Sequence, residues 1–487
     1  MELICADPAA LLSPLGQEVL ARAAALRGDL RGGGGRSELA AATELRKEYP
    51  ADLAAAAMAQ QELREMARAK FTRAAGMLFT RGGYEQSSSE MIARHRSSRF
   101  AGSGRVADLC CGIGGDLIAL AALPGCDVLA VDRDETHARF ALHNAAVYGA
   151  AVYGAAVRGD GAGGGARACV ADVRDVPLAG FDAAFIDPAR RSDARGAGAG
   201  PGRFRAGVSE PPLEWCFALT AQVPAVCVKA APGLPAELIP PGWEAEFIAD
   251  GRDLKEAVLW SPAFAGVPSS GVPSAGAPSA GAGPRRATIL PAGHTLVAVP
   301  GDPVPVAEPG EFLLDPSPAV TRAGLVEDLA RTVGGWKIDQ QIAFISVNTE
   351  VSTPFARTLR VIESAPWNEK RFAARLRELG VGAADLRRRG LAGDVDQIRR
   401  RLKLSGPHRA TVVLTRVGDK PWGLICADAT SPVPHLSARW RHKPGPRARP
   451  ARPTAGPARP TGPVTGAGGC RGRRPPGRRA ACCRRRR

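Results

Sequence analysis

The sequence predicts an α/β protein: a parallel sheet covered by helices, with a helical domain ahead of it and a compact α+β module behind. Three observations carry this prediction. From Arg105 onward, short apolar runs (Val106–Leu109, Val128–Val131, Ala168–Ala171, Ala183–Ile186 and Ala225–Val228) alternate with helical segments. That is the texture of buried parallel strands joined by crossover helices. Residues 1 to about 100 instead carry Ala, Leu, Glu and Arg at helical period, as in Leu39 to Tyr49 and Leu53 to Phe71. Between Thr358 and Ala427 the patterns read strand, helix, helix, strand, strand, and the last two strands are spaced as a hairpin around Val417 to Pro421.

The 487 residues exceed one ordinary domain of roughly 100–200 residues. The expected division is a helical domain at 1–100, a sheet domain at 101–261, a linker at 262–285, a connecting α+β segment at 286–354, the α+β module at 355–430 and a basic tail at 436–487. Glu244 to Ala249 and Ala257 to Trp260 read as an antiparallel pair closing the sheet, which then ends near Trp260. Gly/Pro/Ser repeats mark the linker, and the Gly-rich stretch from Asn144 to Gly165 reads as an expanded loop. Ala287 to Leu290 and Thr295 to Val299 are strand-like, and Ala323 to Thr332 is an amphipathic helix.

The formal charge of +17 is uneven: residues 436–487 hold 16 Lys and Arg and no acid, so the rest of the chain is nearly neutral. Global charge therefore gives no argument for nucleic acid. No run of about 18 apolar residues appears and the N-terminus lacks a signal pattern, which predicts a cytoplasmic protein. Eleven scattered cysteines without paired CxxC spacing predict reduced thiols and no zinc site.

The chemistry concentrates at strand ends. Val106 to Leu109 turns through Cys110, Cys111, Gly112, Ile113, Gly114 and Gly115 into a helix beginning near Asp116. Glycines there admit a ligand close to the backbone and aim helix N–H groups at it. A dinucleotide fingerprint needs a third glycine at position 117, which is Leu. A pyrophosphate-binding pocket is thereby disfavoured. Asp132 follows the second strand 20 residues after Gly112, where a carboxylate accepts from ribose hydroxyls; this suits S-adenosylmethionine and NAD alike. Asp172, after the third strand, is placed to accept an adenine amino group. The fourth strand ends in Asp187-Pro188-Ala189-Arg190-Arg191. Asp187 is read as the acceptor-positioning carboxylate, Pro188 as the residue that stiffens its loop, and Arg190 and Arg191 as a phosphate clamp.

With Asp108, the Cys111 to Gly115 turn, Asp132, Asp172 and Asp187 to Arg190 in order, the chain resembles a class I S-adenosylmethionine-dependent methyltransferase with a Rossmann-like sheet. Asp-Leu-Cys-Cys-Gly-Ile-Gly-Gly-Asp with Asp-Pro-Ala-Arg-Arg is similar to the bacterial methyltransferases that carry a C-terminal THUMP-like domain. Gly82-Gly83-Tyr84-Glu85-Gln86, followed by Arg94-His95-Arg96, matches the segment that precedes their catalytic domain. The resemblance implies S-adenosylmethionine as cofactor, held by Asp108, Cys111, Gly112, Gly114, Gly115, Asp132 and Asp172, with Asp187 and Pro188 at the chemistry. It also implies an RNA partner, tRNA or rRNA, met by the THUMP-like domain. Arg387, Arg388 and Arg389, then Arg399, Arg400, Arg401 and Lys403, beside Trp367 and Trp422, agree with that chemistry.

The turn is also similar to that of the cap-hypermethylating trimethylguanosine synthases, but Ala189 and Arg190 stand where those enzymes carry a proline and a stacking aromatic residue. Cys216 and Cys227 lie in apolar segments and read as core, which argues against a covalent thiol adduct. Two rival functions remain at this level: methylation of a small molecule or protein, and non-catalytic RNA binding on a retained cofactor fold.

Overall fold

The computed structural model describes residues 8–31, 38–152, 165–190, 209–265, 283–298, 300–391 and 394–428. Most of the linker, the middle of the Gly-rich loop, Arg191 and the basic tail lie outside the described residues.

The N-terminal region is helical: α1 Pro14–Arg31, α2 Glu38–Glu48, α3 Ala51–Ala67, α4 Arg81–Gln86 and α5 Glu90–Ser97. Leu20, Leu26, Leu45 and Leu53 form its own apolar core. The sheet region follows as β1 Arg105–Leu109, α6 Gly115–Leu120, β2 Asp127–Asp132, α7 Glu135–Val147, β3 Gly165–Val170 and β4 Ala183–Ile186. A short ribbon, β5 Ala189–Arg190 with β6 Ser209–Glu210, leads to α8 Leu213–Ala218, β7 Ala225–Ala230, β8 Glu244–Asp250, β9 Asp253–Trp260, β10 Arg285–Leu290 and β11 His294–Val297. The C-terminal region holds β12 Phe312–Pro316, α9 Pro318–Ala323, α10 Val326–Thr332, β13 Trp336–Lys337, β14 Ile345–Val347, β15 Ala356–Pro366, α11 Glu369–Glu378, β16 Val381–Arg388, α12 Val395–Leu402, β17 His408–Val417 and β18 Lys420–Asp428.

The central sheet has the order β11-β10-β8-β9-β7-β4-β1-β2-β3. Strands β3, β2, β1, β4 and β7 pair in parallel, and β9 runs antiparallel to both β7 and β8. The sheet does not end near Trp260, as the sequence suggested. Strand β10 pairs in parallel with β8 and brings β11 with it, so the sheet continues across the linker. Apolar side chains cover both faces, one around Leu109, Ile186, Val226 and Leu259 and the other around Val106, Phe185, Cys227 and Trp260. α9 packs through Ala319, Val320 and Ala323 into the first of these cores. The segment read as one helix from Ala323 to Thr332 is two helices, separated at Gly324, whose φ of +75° caps the first.

The second sheet, β13-β14-β12-β15-β18-β17-β16, forms the α+β module. One face packs Leu313, Phe344, Val413 and Leu424 together, while the other receives Phe372 and Leu376 of α11 and Ile398 and Leu402 of α12. Strand β16 supports the parallel edge beside β17. Its end places Arg389 against Asp315 at 2.8 Å and over the Phe344 ring at 4.9 Å, so Arg389 ties two strands together instead of standing free for RNA. Trp367 stacks against Phe372 at 4.8 Å and the Trp422 indole N–H donates to Ser364, which makes both rings packing elements of the module.

A buried ionic seam joins the N-terminal helices to the sheet. Along α5 and the turn after it, His95 meets Glu246 at 2.7 Å, Arg96 bonds Asp116 and Glu256, and Arg99 meets Glu244 at 2.7 Å. Glu246 also accepts from Thr288 and Trp260, while Arg286 meets Glu244 at 2.9 Å, so β10 is locked to the same carboxylates. Burial alone would raise the pKa of Glu246; His95, Arg286 and Thr288 outweigh it and bring the value down to about 2. Removing one partner of such a pair leaves a buried charge uncompensated. Arg96→Met is therefore expected to destabilise the fold by about 3–5 kcal/mol, read as a lower urea midpoint, and adding Glu256→Met is expected to restore part of that loss.

Candidate active site

Strand register assembles the site. Leu109 pairs with both Val131 and Ile186, and Ile186 pairs with Val228. Cys110, Asp132, Asp187 and Lys229 each follow those residues by one position, so all four emerge at the same carboxyl rim. The backbone fixes the step beyond: Cys111 N–H donates to Val131 O at 3.0 Å and Asp187 N–H to Leu109 O at 3.2 Å.

A cavity of about 500 Å³ opens on that rim. Of the residues predicted from sequence, Asp108, Cys111, Gly112, Gly115, Asp132, Asp172, Asp187 and Pro188 all line it. Gly114 does not. It caps α6 with φ of +82°, and a Cβ there would lie 2.8 Å from Ala141 Cα, so this glycine serves the turn and the close packing of α6 on α7. Gly112 has φ of +52° and nothing within 4 Å of a Cβ position, which leaves the backbone open to a ligand. Arg190 ends β5, but its side chain lies outside the described residues.

The cavity is acidic at its base. Asp108 is wholly buried, and neither of its carboxylate oxygens has a hydrogen-bond partner. Burial, followed by repulsion from Asp116, Asp187 and Asp132, drives its pKa well above the carboxylate range. A buried acid without partners facing a cavity calls for a donor or a cation. Asp132 is the counterpart: its Oδ2 accepts from Gly112 N–H at 2.8 Å and its Oδ1 from Asp134 N–H at 2.9 Å. Burial would raise its pKa, but the nearby His137 ring, 3.8 Å away, and these two N–H groups hold it below its ordinary value. Each oxygen keeps lone-pair capacity for a ligand hydroxyl. Asp172 caps a short turn by accepting from Arg174 N–H at 2.9 Å, and the Arg174 guanidinium lies 3.0 Å from its Oδ2 while also bonding Glu210. A cationic sulfonium nucleoside with ribose hydroxyls and an α-amino group fits this donor set, since the base of the cavity offers carboxylates and an open glycine turn.

Several lining residues escaped the sequence reading. Lys229, at the end of β7, is buried, and its Nζ lies 2.5 Å from Asp187 Oδ2. Burial would lower its pKa, yet Asp187 and Glu256 keep it raised, so it is held as an ammonium. The strand register places it there, and no motif marks it. Gly83, Glu85 and Gln86, which the sequence marked only as part of the segment ahead of the catalytic domain, form with Ser87 a wall that comes from the N-terminal region. Lys70 secures that wall by donating to Tyr84 O at 2.6 Å and Ser87 O at 3.0 Å. The thiols near the cavity are held protonated: burial raises Cys110 and Cys111, and pushes Cys216 up to about 12. Cys216 and Cys227 are fully buried in the core.

Comparison with known proteins agrees with this geometry. Two curated proteins of Mycobacterium tuberculosis, from strains CDC 1551 / Oshkosh and ATCC 25618 / H37Rv, are both described as uncharacterized S-adenosylmethionine-dependent methyltransferases. Each is 34% identical over 346 residues, covering 70% of this chain and 85% of its own length. The chain belongs to the S-adenosylmethionine-dependent methyltransferases. A solved structure from Porphyromonas gingivalis W83, provisionally described as a methyltransferase, shares the fold with a TM-score of 0.63 and 20% identity, over 85% of this chain and 98% of that one. Family models match in three places: RNA cap guanine-N2 methyltransferase at residues 103–174, THUMP domain-like at 356–428, and a domain of unknown function at 5–67. The RNA cap guanine-N2 methyltransferase match stops before Asp187 and Lys229, so it covers the glycine-turn side of the cavity and not the far side. No helix among the described residues is long and apolar enough to cross a membrane.

The Asp132–His137 pair has a defined pH signature. The Asp132 carboxylate, with its Oδ1 3.8 Å from His137 Nδ1, raises His137 above its ordinary 6.5, against the effect of burial. Its contribution to stability is complete below pH 6.5 and is lost as pH rises through the raised folded value. Asp132, lowered from 3.8, contributes above that value and loses its contribution as pH falls through the folded one. The stability difference between wild type and His137→Gln, measured by urea unfolding, is therefore expected to hold steady from about pH 5 to 6 and to shrink by about pH 9.

Proposed function

We propose that the chain transfers a methyl group from S-adenosylmethionine to RNA, with tRNA or rRNA as the acceptor class. The observation that carries the reading is the cavity on the carboxyl rim, which the cofactor-type residues and the Asp187-Pro188 loop line together. When bound, the cofactor supplies an electrophilic methyl group on a sulfonium. The chain's own residues do the rest. Asp132 is suited to accept from the ribose hydroxyls. Asp108 would take a donor from the amino-acid end, and Asp172 one from adenine. Asp187 positions the acceptor opposite the methyl group, and Pro188, buried beside it, fixes the loop. The wall built from Gly83 to Ser87 limits access of water.

The RNA part of the reading is supported by the THUMP domain-like match at 356–428 and by exposed cations on that module. Arg388, Arg399, Arg400 and Arg401 lie at the surface. Arg401 is paired with Glu369 and Arg399 with Asp396, so their field is partly compensated. Transfer of tritium from labelled cofactor to purified cellular RNA tests the whole reading. Asp187→Ala is expected to abolish turnover while leaving cofactor affinity within about tenfold, whereas Asp132→Ala weakens the cofactor instead. The double reversal Arg388→Glu, Arg400→Glu is expected to weaken RNA binding several-fold and to reduce the salt slope of log K by roughly one to two, measured by fluorescence titration at several salt concentrations.

A further inference from the structure

Among the described acids that line the cavity, Asp108 is the one to which the chain brings no donor. The others each have a counter-ion or an N–H group: Arg96 bonds Asp116, two N–H groups reach Asp132, Lys229 holds Asp187, and Asp172 and Glu210 share Arg174. Asp108 sits on β1 between Ala130 of β2 and Phe185 of β4, wholly buried, with neither carboxyl oxygen hydrogen-bonded. Burial acts first against its ionised form, followed by Asp116 from α6, Asp187 from the end of β4 and Asp132 from the end of β2. Arg96 of α5 acts in its favour, but that guanidinium is already divided between Asp116 and Glu256. The thiols of Cys110 and Cys111 beside it are protonated and bring no charge. An ionised carboxylate in this setting is costly, and the neutral acid is not.

What a ligand does to this acid depends on the charge it carries. A hydroxyl brings a hydrogen bond alone, which does not offset three nearby carboxylates. An ammonium brings a donor and a positive charge together, in a site largely shielded from water, and so favours the ionised form. The amino-acid end of the cofactor carries such a group. Its ribose does not, and the already partnered Asp132 suits the ribose hydroxyls.

We infer that Asp108 is a neutral acid while the cavity is free and gives up its proton when an α-ammonium reaches it, which makes Asp108 the residue that selects ligands carrying the amino-acid end. The inference rests on the cofactor reading of the cavity and is independent of the acceptor. In the exchange the carboxyl O–H bond breaks and its electron pair stays on oxygen. The proton passes to the solvent buffer. The carboxylate then accepts an N–H of the ammonium, which keeps its charge, and nothing is oxidised or reduced.

The test titrates the full-length chain calorimetrically with S-adenosylhomocysteine and with 5′-methylthioadenosine, which has the same nucleoside thioether core and no amino-acid end. At about pH 6.5 an α-amino group, which ordinarily titrates near about 8, is already protonated. Repeating the titration in buffers of different ionisation enthalpy counts the protons released. The expected result is close to a full proton for S-adenosylhomocysteine and none for 5′-methylthioadenosine, with the affinity of the former rising up to about tenfold from about pH 5.5 to 6.5. Release is expected to vanish in Asp108→Asn and to persist in His137→Gln, the other group at the cavity held near this range. Binding of S-adenosylhomocysteine without proton release overturns the inference while the cofactor reading stands, and equal release with both ligands does the same. Absence of binding by the folded chain overturns the cofactor reading and this inference with it. A thermal melt reports whether Asp108→Asn folds. If it does not, the infrared difference spectrum of the wild type decides: S-adenosylhomocysteine is expected to remove a protonated-carboxyl band, and no such loss overturns the inference.

Discussion

Negative charge gathered at one sheet edge is the constraint on which the rest of the structure turns. Asp108, Asp116, Asp132 and Asp187 all open on one cavity, and burial, with their mutual repulsion added to it, raises the pKa of Asp108. A rim of this kind folds only with cations brought to it from elsewhere. Arg96 arrives from α5 and bonds Asp116; Lys229 arrives from β7 and bonds Asp187; His137 arrives from α7 beside Asp132. Each cation belongs to a different element, so the rim electrostatics bind the N-terminal helices, the sheet and its crossover helices into one arrangement.

The same logic explains why the N-terminal region is part of the site and not an appendage. Gly83 packs against Ile113 of the glycine turn, and Lys70 holds the Tyr84 to Ser87 carbonyls that wall the cavity. The Arg96 guanidinium is buried between Asp116 and Glu256 and stacks over the Phe185 ring at 5.2 Å. Displacing α5 would both open the wall and strip Asp116 of its counter-ion. Tight coupling of wall and counter-ion keeps the cavity shape fixed without a ligand, which lowers the ordering cost of binding one.

Some of this was legible from the chain alone. Strands β1, β2, β3, β4 and β7 announce themselves as apolar runs because both faces of a parallel sheet are covered, and the acidic residue after each run falls on the carboxyl rim by topology. Strand β16 was illegible for the opposite reason: Val381-Gly382-Ala383-Ala384-Asp385 is small and polar, and it is a strand because β17 offers a parallel edge. The continuation of the sheet into β10 depends on pairing with β8 across a long connection, which no local pattern encodes. Arg389 read as an RNA-facing cation and Arg96 as part of the segment ahead of the catalytic domain, yet burial next to two carboxylates in one case, and a place over an aromatic ring in the other, makes each a tie. Gly114 sits inside a motif whose other glycines line the cavity; its own task is steric, and spacing cannot separate the two.

The two sides of the cavity differ in how they are specified, and this bears on where substrate choice resides. One side is a contiguous glycine turn plus strand-end acids, so a local match at 103–174 captures it. The far side is made by residues that meet only through register: Asp187 from β4, Lys229 from β7, Glu210 at the end of the β5–β6 ribbon. A change of one residue at the end of β7 would alter the charge beside Asp187 while leaving the residues of the glycine turn and Asp132 as they are. Likeness in the glycine-turn frame therefore says little about what the single side chains on the far side of the cavity do.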